Sequence, residues 1–237
     1  MEHEFIKVVD FIREIYHKPE GVIHLHEPVF TGNEINYVKD CILSTYVSSI
    51  GEYVNKFERR IADYTNAGYA VAAVNGTAAL HLALKLSGVH EGDEVITQPL
   101  TFIATTNAIS YCNAHPVFVD VDYDTMGLSP DKLEFFLKRF AAYSNKLKRF
   151  YNKTTKRPLA AILPMHTFGN PCRIDEIVEI ADKYLIPVVE DAAESIGSLY
   201  KGRHTGTFGN IGVLSFNGNK IITTGGGGII ITNEENT

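Results

Sequence analysis

Ala70-Val71-Ala72-Ala73-Val74 runs without a break into Asn75-Gly76-Thr77-Ala78-Ala79-Leu80. The first five residues form a short apolar run of strand length, and the rest open a stretch with helical spacing near 77–87. A strand that turns directly into a helix is the building unit of an α/β sheet, and the same alternation continues downstream. Apolar, β-branched runs at Glu94–Thr97, Val117–Val121, Ala160–Leu163, Pro187–Glu190, Val213–Phe216 and Ile229–Thr232 predict strands. Helical spacing near 102–112, 130–142 and 173–184 falls between them. Nearly continuous apolar strands separated by helices imply a mainly parallel sheet with helices on both faces. The predicted fold class is α/β, without internal repeats.

Upstream, Phe5, Ile6, Val8, Val9, Phe11, Ile12, Ile15 and Tyr16 recur at helical spacing until Pro19-Glu20-Gly21. Residues 1–33 therefore predict a helical arm and lead-in. Helices are expected over 34–45 and 54–66, and the α/β domain over 34–237. At the other end, Gly228–Thr232 reads as a strand and Asn233 to Thr237 as a turn leading onward, so a further C-terminal portion is expected to be missing.

The 237 residues, 45% hydrophobic and 21% charged, suffice for one large core with an arm. A net charge of -6 lacks the basic face of a nucleic-acid binder. Cys41, Cys112 and Cys172 form no CxxC pair, which argues against zinc ribbons and disulfide frameworks and for a reducing compartment. Met1-Glu2-His3-Glu4 is charged and no apolar run reaches membrane-spanning length, so a cytoplasmic location is expected. His24, His26, His81, His90, His115 and His204 are scattered and suggest ordinary roles, with no metal site. Ser144–Arg157 carries Lys146, Lys148, Arg149, Lys153, Lys156 and Arg157. It reads as a solvated surface excursion, with a contact to an anionic substrate or a partner subunit as the sharper alternative.

Ligands in open α/β sheets bind beyond the carboxyl ends of the strands, and four features lie at such ends. Gly76 lets the chain turn closely, Thr77 can cap the following helix, and the helix end favours a phosphate; many helices start this way without binding an anion. Asp191 ends an apolar strand, either as an N-cap or as a buried carboxylate in need of a cationic partner. Lys220 lies in a Gly/Asn loop after Ser215-Phe216, which is either an ordinary loop position or the place of a covalent-catalysis amine. Gly225-Gly226-Gly227-Gly228 permits unusual backbone or close approach, without a P-loop ending. No G-x-G-x-x-G follows a strand, which sets a nicotinamide-dependent oxidoreductase far behind.

Taken in order, these parts resemble the DegT/DnrJ/EryC1/StrS sugar aminotransferases, within the aspartate-aminotransferase-like fold type I of pyridoxal-phosphate (PLP) enzymes. Asn75–Leu80 matches the family's phosphate loop, and Pro99-Leu100-Thr101-Phe102-Ile103-Ala104-Thr105 the segment whose aromatic residue stacks on the cofactor. His166-Thr167-Phe168-Gly169 matches its H-x-x-G, Glu190-Asp191-Ala192-Ala193-Glu194 its E-D-x-A-[QE], and Ser215-Phe216 with Lys220 its S-F-x-x-x-K. The opening and the 144–157 segment look closer to the LegC-like branch, which aminates nucleotide-linked keto sugars. The family also has a C-terminal small domain, which is therefore expected to be the portion missing here.

The resemblance implies that Lys220 bonds to pyridoxal 5'-phosphate and serves as the acid–base group. It places Asp191 on the pyridine nitrogen, Phe102 on the ring face, Glu194 near the ring hydroxyl, and Gly76, Thr77, Ala78 and Ser215 on the phosphate. His166 is either a substrate contact or structural. Glu194 stands where many relatives have glutamine, and Gly226 where many have glutamate, so the latter's role does not carry over. The implied reaction moves an amino group, usually from glutamate, to a nucleotide-linked keto-deoxy sugar for cell-surface polysaccharide or glycan biosynthesis, lipopolysaccharide included. Related dehydratases carry histidine in place of the lysine, so Lys220 favours transamination. A different fold-type-I activity and a non-catalytic truncated fragment remain the alternatives. Homodimers are the family habit, with no nucleic acid and no membrane involved.

Overall fold

The structure is a computed structural model describing residues 2–235. Met1, Asn236 and Thr237, and with them the ends of the expected arm and closing turn, lie outside the described residues. In chain order the elements are α1 (Glu2–Ile15), α2 (Glu34–Ser44), α3 (Glu52–Thr65), β1 (Tyr69–Ala73), α4 (Gly76–Leu86), β2 (Glu94–Thr97), α5 (Ile103–Tyr111) and β3 (His115–Phe118). They continue with α6 (Pro130–Phe140), β4 (Ala141–Ser144), β5 (Arg149–Asn152), β6 (Leu159–Leu163), a 3₁₀ turn (Thr167–Gly169) and α7 (Ile174–Lys183). The last are β7 (Val189–Asp191), β8 (Leu199–Tyr200), β9 (Arg203–His204), β10 (Ile211–Ser215) and β11 (Gly228–Thr232).

Two groups of strands, β1-β11-β10-β7 and β3-β2-β6, make one layer. Parallel bridges from Ile162 to Val188 and from Met165 to Asp191 join β6 to β7. The combined order is β3-β2-β6-β7-β10-β11-β1, and only β11 runs against its neighbours. The sheet is thus mainly parallel, as the apolar runs imply. β3 starts two residues earlier than expected because Pro116, which cannot donate to a ladder, is tolerated on this edge strand.

Adjacent strand residues point to opposite faces, and each face finds its own helices. Val95, Leu163, Val189, Val213 and Ile230 pack with Ala79, Leu80, Ala83, Leu84, Ala108 and Ile109 of α4 and α5. Their neighbours Ile96, Ile162 and Val188 pack against Leu133 and Leu137 of α6 and Ile174 and Ile177 of α7. On that second side, Ile61 and Phe57 of α3 cover Leu214, Phe216, Ile229 and Ile231. A sheet buried on both sides explains why its strands read as continuous apolar runs rather than as alternation.

The 144–157 segment is more ordered than a solvated excursion. β4 and β5 form an antiparallel hairpin. Arg149 pairs with Asp93 at 3.0 Å, and the buried Asn152 amide donates to Glu94 at 2.9 Å. Asp93 and Glu94 lie at the start of β2, the edge opposite to that where Asp191 ends β7. This placement corrects the alternative of a substrate contact: the hairpin is tied to the wrong end of the sheet. Lys146, Lys148, Lys153 and Lys156 remain exposed.

The first 50 residues contrast with this body. α2 buries no residue, and Ile35 and Leu43 are 80% and 70% exposed. Packing of the body begins with α3, where Ile61 and Thr65 are buried.

Candidate active site

The strands β1, β2, β6, β7 and β10 all deliver their carboxyl ends to one edge, and the residues singled out from the sequence gather there. Asn75 follows β1 in an extended conformation, and its side chain accepts from the Ala78 amide at 2.8 Å. Asn75, not Thr77, is therefore the cap of α4. Thr77 lies two residues past that cap, too far into the helix to close its first turn. The same bond engages the amide of Ala78, the third residue that the resemblance sets on the phosphate. The amides of Gly76 and Thr77, at the first two helical positions, are not needed by the helix. A side chain on Gly76 would approach Ser215 Cβ to 2.9 Å and Oγ to 3.0 Å, so glycine lets β10 present its serine hydroxyl directly to the helix end. The positive helix end, two amides and one hydroxyl make an anion cradle.

The four-glycine run supports this cradle from below. A Cβ on Gly228 would overlap the Asn75 carbonyl, and one on Gly227 the Thr224 hydroxyl. The close approach that glycine permits is thus made by the chain's own β1–α4 turn. Gly225 has φ +83, which glycine adopts without strain, and Gly226 faces open space.

Asp191 closes β7 and is 2% exposed. Its Oδ2 accepts from Thr105 Oγ1 at 2.6 Å and its Oδ1 from the Ala193 amide at 3.2 Å. Burial pushes its pKa up, against the Thr105 and Ala193 hydrogen bonds and the charge of Lys220. Lys220 sits in the β10–β11 connection, where its amide closes a turn on the Asn217 carbonyl at 3.0 Å. Its Nζ lies 5.8 Å from the centroid of the Phe102 ring and donates to Glu194 Oε1 at 3.0 Å. Glu194 Oε2 accepts from the Phe168 amide at 3.1 Å. An amine over an aromatic face, within electrostatic reach of a buried carboxylate, can take a flat ring that carries an aldehyde. The cradle of Gly76, Thr77 and Ser215 lies at the same sheet edge for a phosphate on that ring. A cavity of about 840 Å³ opens beside Lys220, with Lys18, His24 and His26 of the lead-in on its wall.

His166 is not brought to this group. It is 0% exposed, its Nε2 lies 2.9 Å from Glu190 Oε2, and the Cys172 amide donates to Nδ1 at 3.3 Å. Burial disfavours a charged imidazole, while the neighbouring Cys172 and Glu190 favour it. The fixed backbone donor at Nδ1 nevertheless leaves one ring proton, on Nε2 toward Glu190. With both nitrogens engaged, the ring offers nothing to a substrate, which corrects that expectation in favour of the structural one. Sequence reasoning also gave no role to Thr105, although it closes the quoted 99–105 segment. Its partner stands 86 positions away, where no local spacing points.

Comparison with known proteins identifies the family. Residues 28–237 match the model of the DegT/DnrJ/EryC1/StrS aminotransferase family. The chain is 44% identical over 213 residues to a GDP-perosamine synthase of Escherichia coli O157:H7, covering 90% of this chain and 54% of that relative. It is 38% identical over 208 residues to the spore coat polysaccharide biosynthesis protein SpsC of Bacillus subtilis, covering 88% and 49%. The crystal structure of an aminotransferase from Psychrobacter cryohalolentis superposes with a TM-score of 0.76 at 37% identity, over 89% of this chain and 49% of that one. The chain spans about half the length of the curated relatives it matches.

Proposed function

We propose, from the premise that this chain belongs to the DegT/DnrJ/EryC1/StrS aminotransferase family, that it holds pyridoxal 5'-phosphate on Lys220 and moves an amino group from glutamate to a nucleotide-linked keto-deoxy sugar. The observation that carries the reading is the Lys220 amine, 5.8 Å from the Phe102 ring centroid and acting on the charge of buried Asp191. When bound, the cofactor supplies an electron sink for the carbanion left by proton removal. The chain's own residues do the rest. Asp191 holds the proton of the pyridine nitrogen, Phe102 covers one ring face, and Gly76, Thr77 and Ser215 grip the phosphate. Lys220, freed from its ion pair with Glu194, would hold the cofactor aldehyde through Nζ and, once displaced from it by the substrate's amine, would take up and hand on a proton there as the acid–base group. Glu194 Oε1, no longer paired with Lys220, would accept from the ring hydroxyl.

The relative named for perosamine synthesis supports a GDP-linked sugar, and the one named for spore coat polysaccharide supports a cell-surface polymer as destination, with lipopolysaccharide one such polymer. In this reading residues 1–33 serve as an arm and 34–237 as the cofactor domain, with α2 at their junction. The exposed apolar faces of α1 and α2 support a homodimer. The reading keeps the cytoplasmic place of work expected from the sequence, and no helix among the described residues is long and apolar enough to cross a membrane.

Purified protein mixed with the cofactor should develop a visible absorbance band, and borohydride should fix the cofactor on Lys220, as read by peptide mass spectrometry. Glutamate and a panel of nucleotide-linked keto sugars, GDP-4-keto-6-deoxymannose first, should then give an amino sugar. A chain that binds the cofactor elsewhere, or not at all, overturns the reading.

A further inference from the structure

We infer that Thr105 is the residue that orients Asp191 toward the cofactor ring, with Thr101 completing a hydroxyl relay that holds Thr105 in place. The inference rests on the cofactor reading above and adds two positioning residues to it.

Thr105 is 0% exposed, and its hydroxyl donates to Asp191 Oδ2 at 2.6 Å, the short separation expected of a bond to an ionised carboxylate. Thr101 Oγ1 in turn donates to Thr105 Oγ1 at 2.7 Å. A hydroxyl has one proton to give. That of Thr105 goes to Asp191, so its oxygen is free to accept from Thr101, and the two bonds run in one direction and polarise each other. The Ala193 amide takes the other carboxylate oxygen at 3.2 Å. With one donor on each oxygen, the plane of the carboxylate is set, and a lone pair on each oxygen stays available to a further donor.

Asp191 needs this support. Burial favours its neutral form, and the Thr105 hydroxyl is the foremost group opposing burial. A carboxyl that kept its own proton would present a donor to the pyridine nitrogen instead of an acceptor. Thr105 also lies in the first turn of α5, where its amide donates to the Phe102 carbonyl at 3.1 Å. A spacing of three residues puts Phe102 and Thr105 on one side of the helix. A single turn thus fixes both the ring that stacks on the cofactor and the hydroxyl that aims the carboxylate at its nitrogen.

Thr105→Val keeps the branched shape and removes the donor, whereas Thr105→Ser keeps the donor. The Asp191 carboxyl is followed by carbon-13 NMR against pH in cofactor-free protein, with Asp191→Asn identifying its signal. The pyridoxal-phosphate-loaded protein is followed by its visible band against pH and by kcat and KM. In Thr105→Val the Asp191 midpoint should move to higher pH, and kcat should fall about tenfold or more with KM nearly unchanged, as for loss of an outer-shell partner. Thr105→Ser should restore both, and Thr101→Val should shift both in the same direction by less. Should Thr105→Val fail to fold, Thr101→Val reads the same relay from a half-buried position. An Asp191 titration identical to wild type in these variants overturns the inference, as does a loss of thermal stability without any movement of that titration. A wild-type chain that gives no visible band overturns the cofactor reading instead, and the cofactor-free titration still decides the role of Thr105.

Discussion

Glu190 and Asp191 are neighbours on β7, both buried, and they meet entirely different surroundings. Glu190 accepts from the amides of Gly206, Phe208 and Gly209 at 2.8, 2.6 and 2.6 Å and from the His166 ring at 2.9 Å. A carboxylate has about four acceptor sites, so Glu190 is saturated by the protein and acts as a knot between β7, the 206–209 loop and the 166–172 segment. Asp191, one residue on and pointing the other way, has only the Thr105 hydroxyl and the Ala193 amide. Burial of a charge therefore does not mark the chemistry at this sheet edge. Unfilled acceptor capacity does, and it distinguishes the carboxylate that holds the fold together from the one kept for a ligand.

The contrast can be broken by substitution. The largest effect is expected at the group that Asp191 serves: Lys220→Ala should abolish borohydride-stable cofactor on the chain, as read by mass spectrometry. Asp191→Asn should leave cofactor capture measurable but cut turnover at least a hundredfold, because a neutral amide stabilises pyridinium charge poorly. In the fold, the same change should work in reverse. The raised pKa of Asp191 means that the unfolded chain loses this proton at lower pH than the folded one. The stability tied to it is present below the ordinary Asp range and drains away as pH rises through the folded value. Cofactor-free Asp191→Asn should thus melt higher than wild type at neutral pH and gain less at pH 4. Glu190→Gln should do the opposite, costing about 3 kcal/mol in chemical denaturation by leaving a buried cluster with a mismatched partner, while the folded fraction still captures cofactor. A stabilised Glu190→Gln protein would remove the distinction. The smallest effect is expected at the cradle: Asn75→Ala should cost about 1 kcal/mol as a lost helix cap.

Much of this architecture was legible because it is written locally. The strands at Glu94–Thr97 and Gly228–Thr232 and the helix after the first declare themselves through runs of a few residues, and Asp191 and Lys220 stand out as charges at the ends of apolar runs. What escaped depends on distant partners. Arg149 looks like one more solvated cation until Asp93 is placed beside it. Thr105 looks like any helical threonine until β7 brings Asp191 to its hydroxyl. His166 and Glu190, both within recognisable motifs, could not be told from ligand contacts, because saturation by backbone amides of the 206–209 loop has no trace in composition. The cap at Asn75 was misassigned to Thr77 by two residues, the usual scale of error where a turn and a helix share small polar side chains.

The reversed strand β11 has a consequence for how the chain is made. Among the described residues β1 pairs with β11 alone, so its ladder waits until residues 228–232 have been synthesised. At roughly 5–20 residues per second, that strand spends on the order of ten seconds or more on the ribosome with its edge bare. Closure of the layer is then a late, long-range event of the kind that slows folding. Ile229, Ile230 and Ile231 complete the layer in one stroke, and cells expressing this chain should need chaperone cover for that interval.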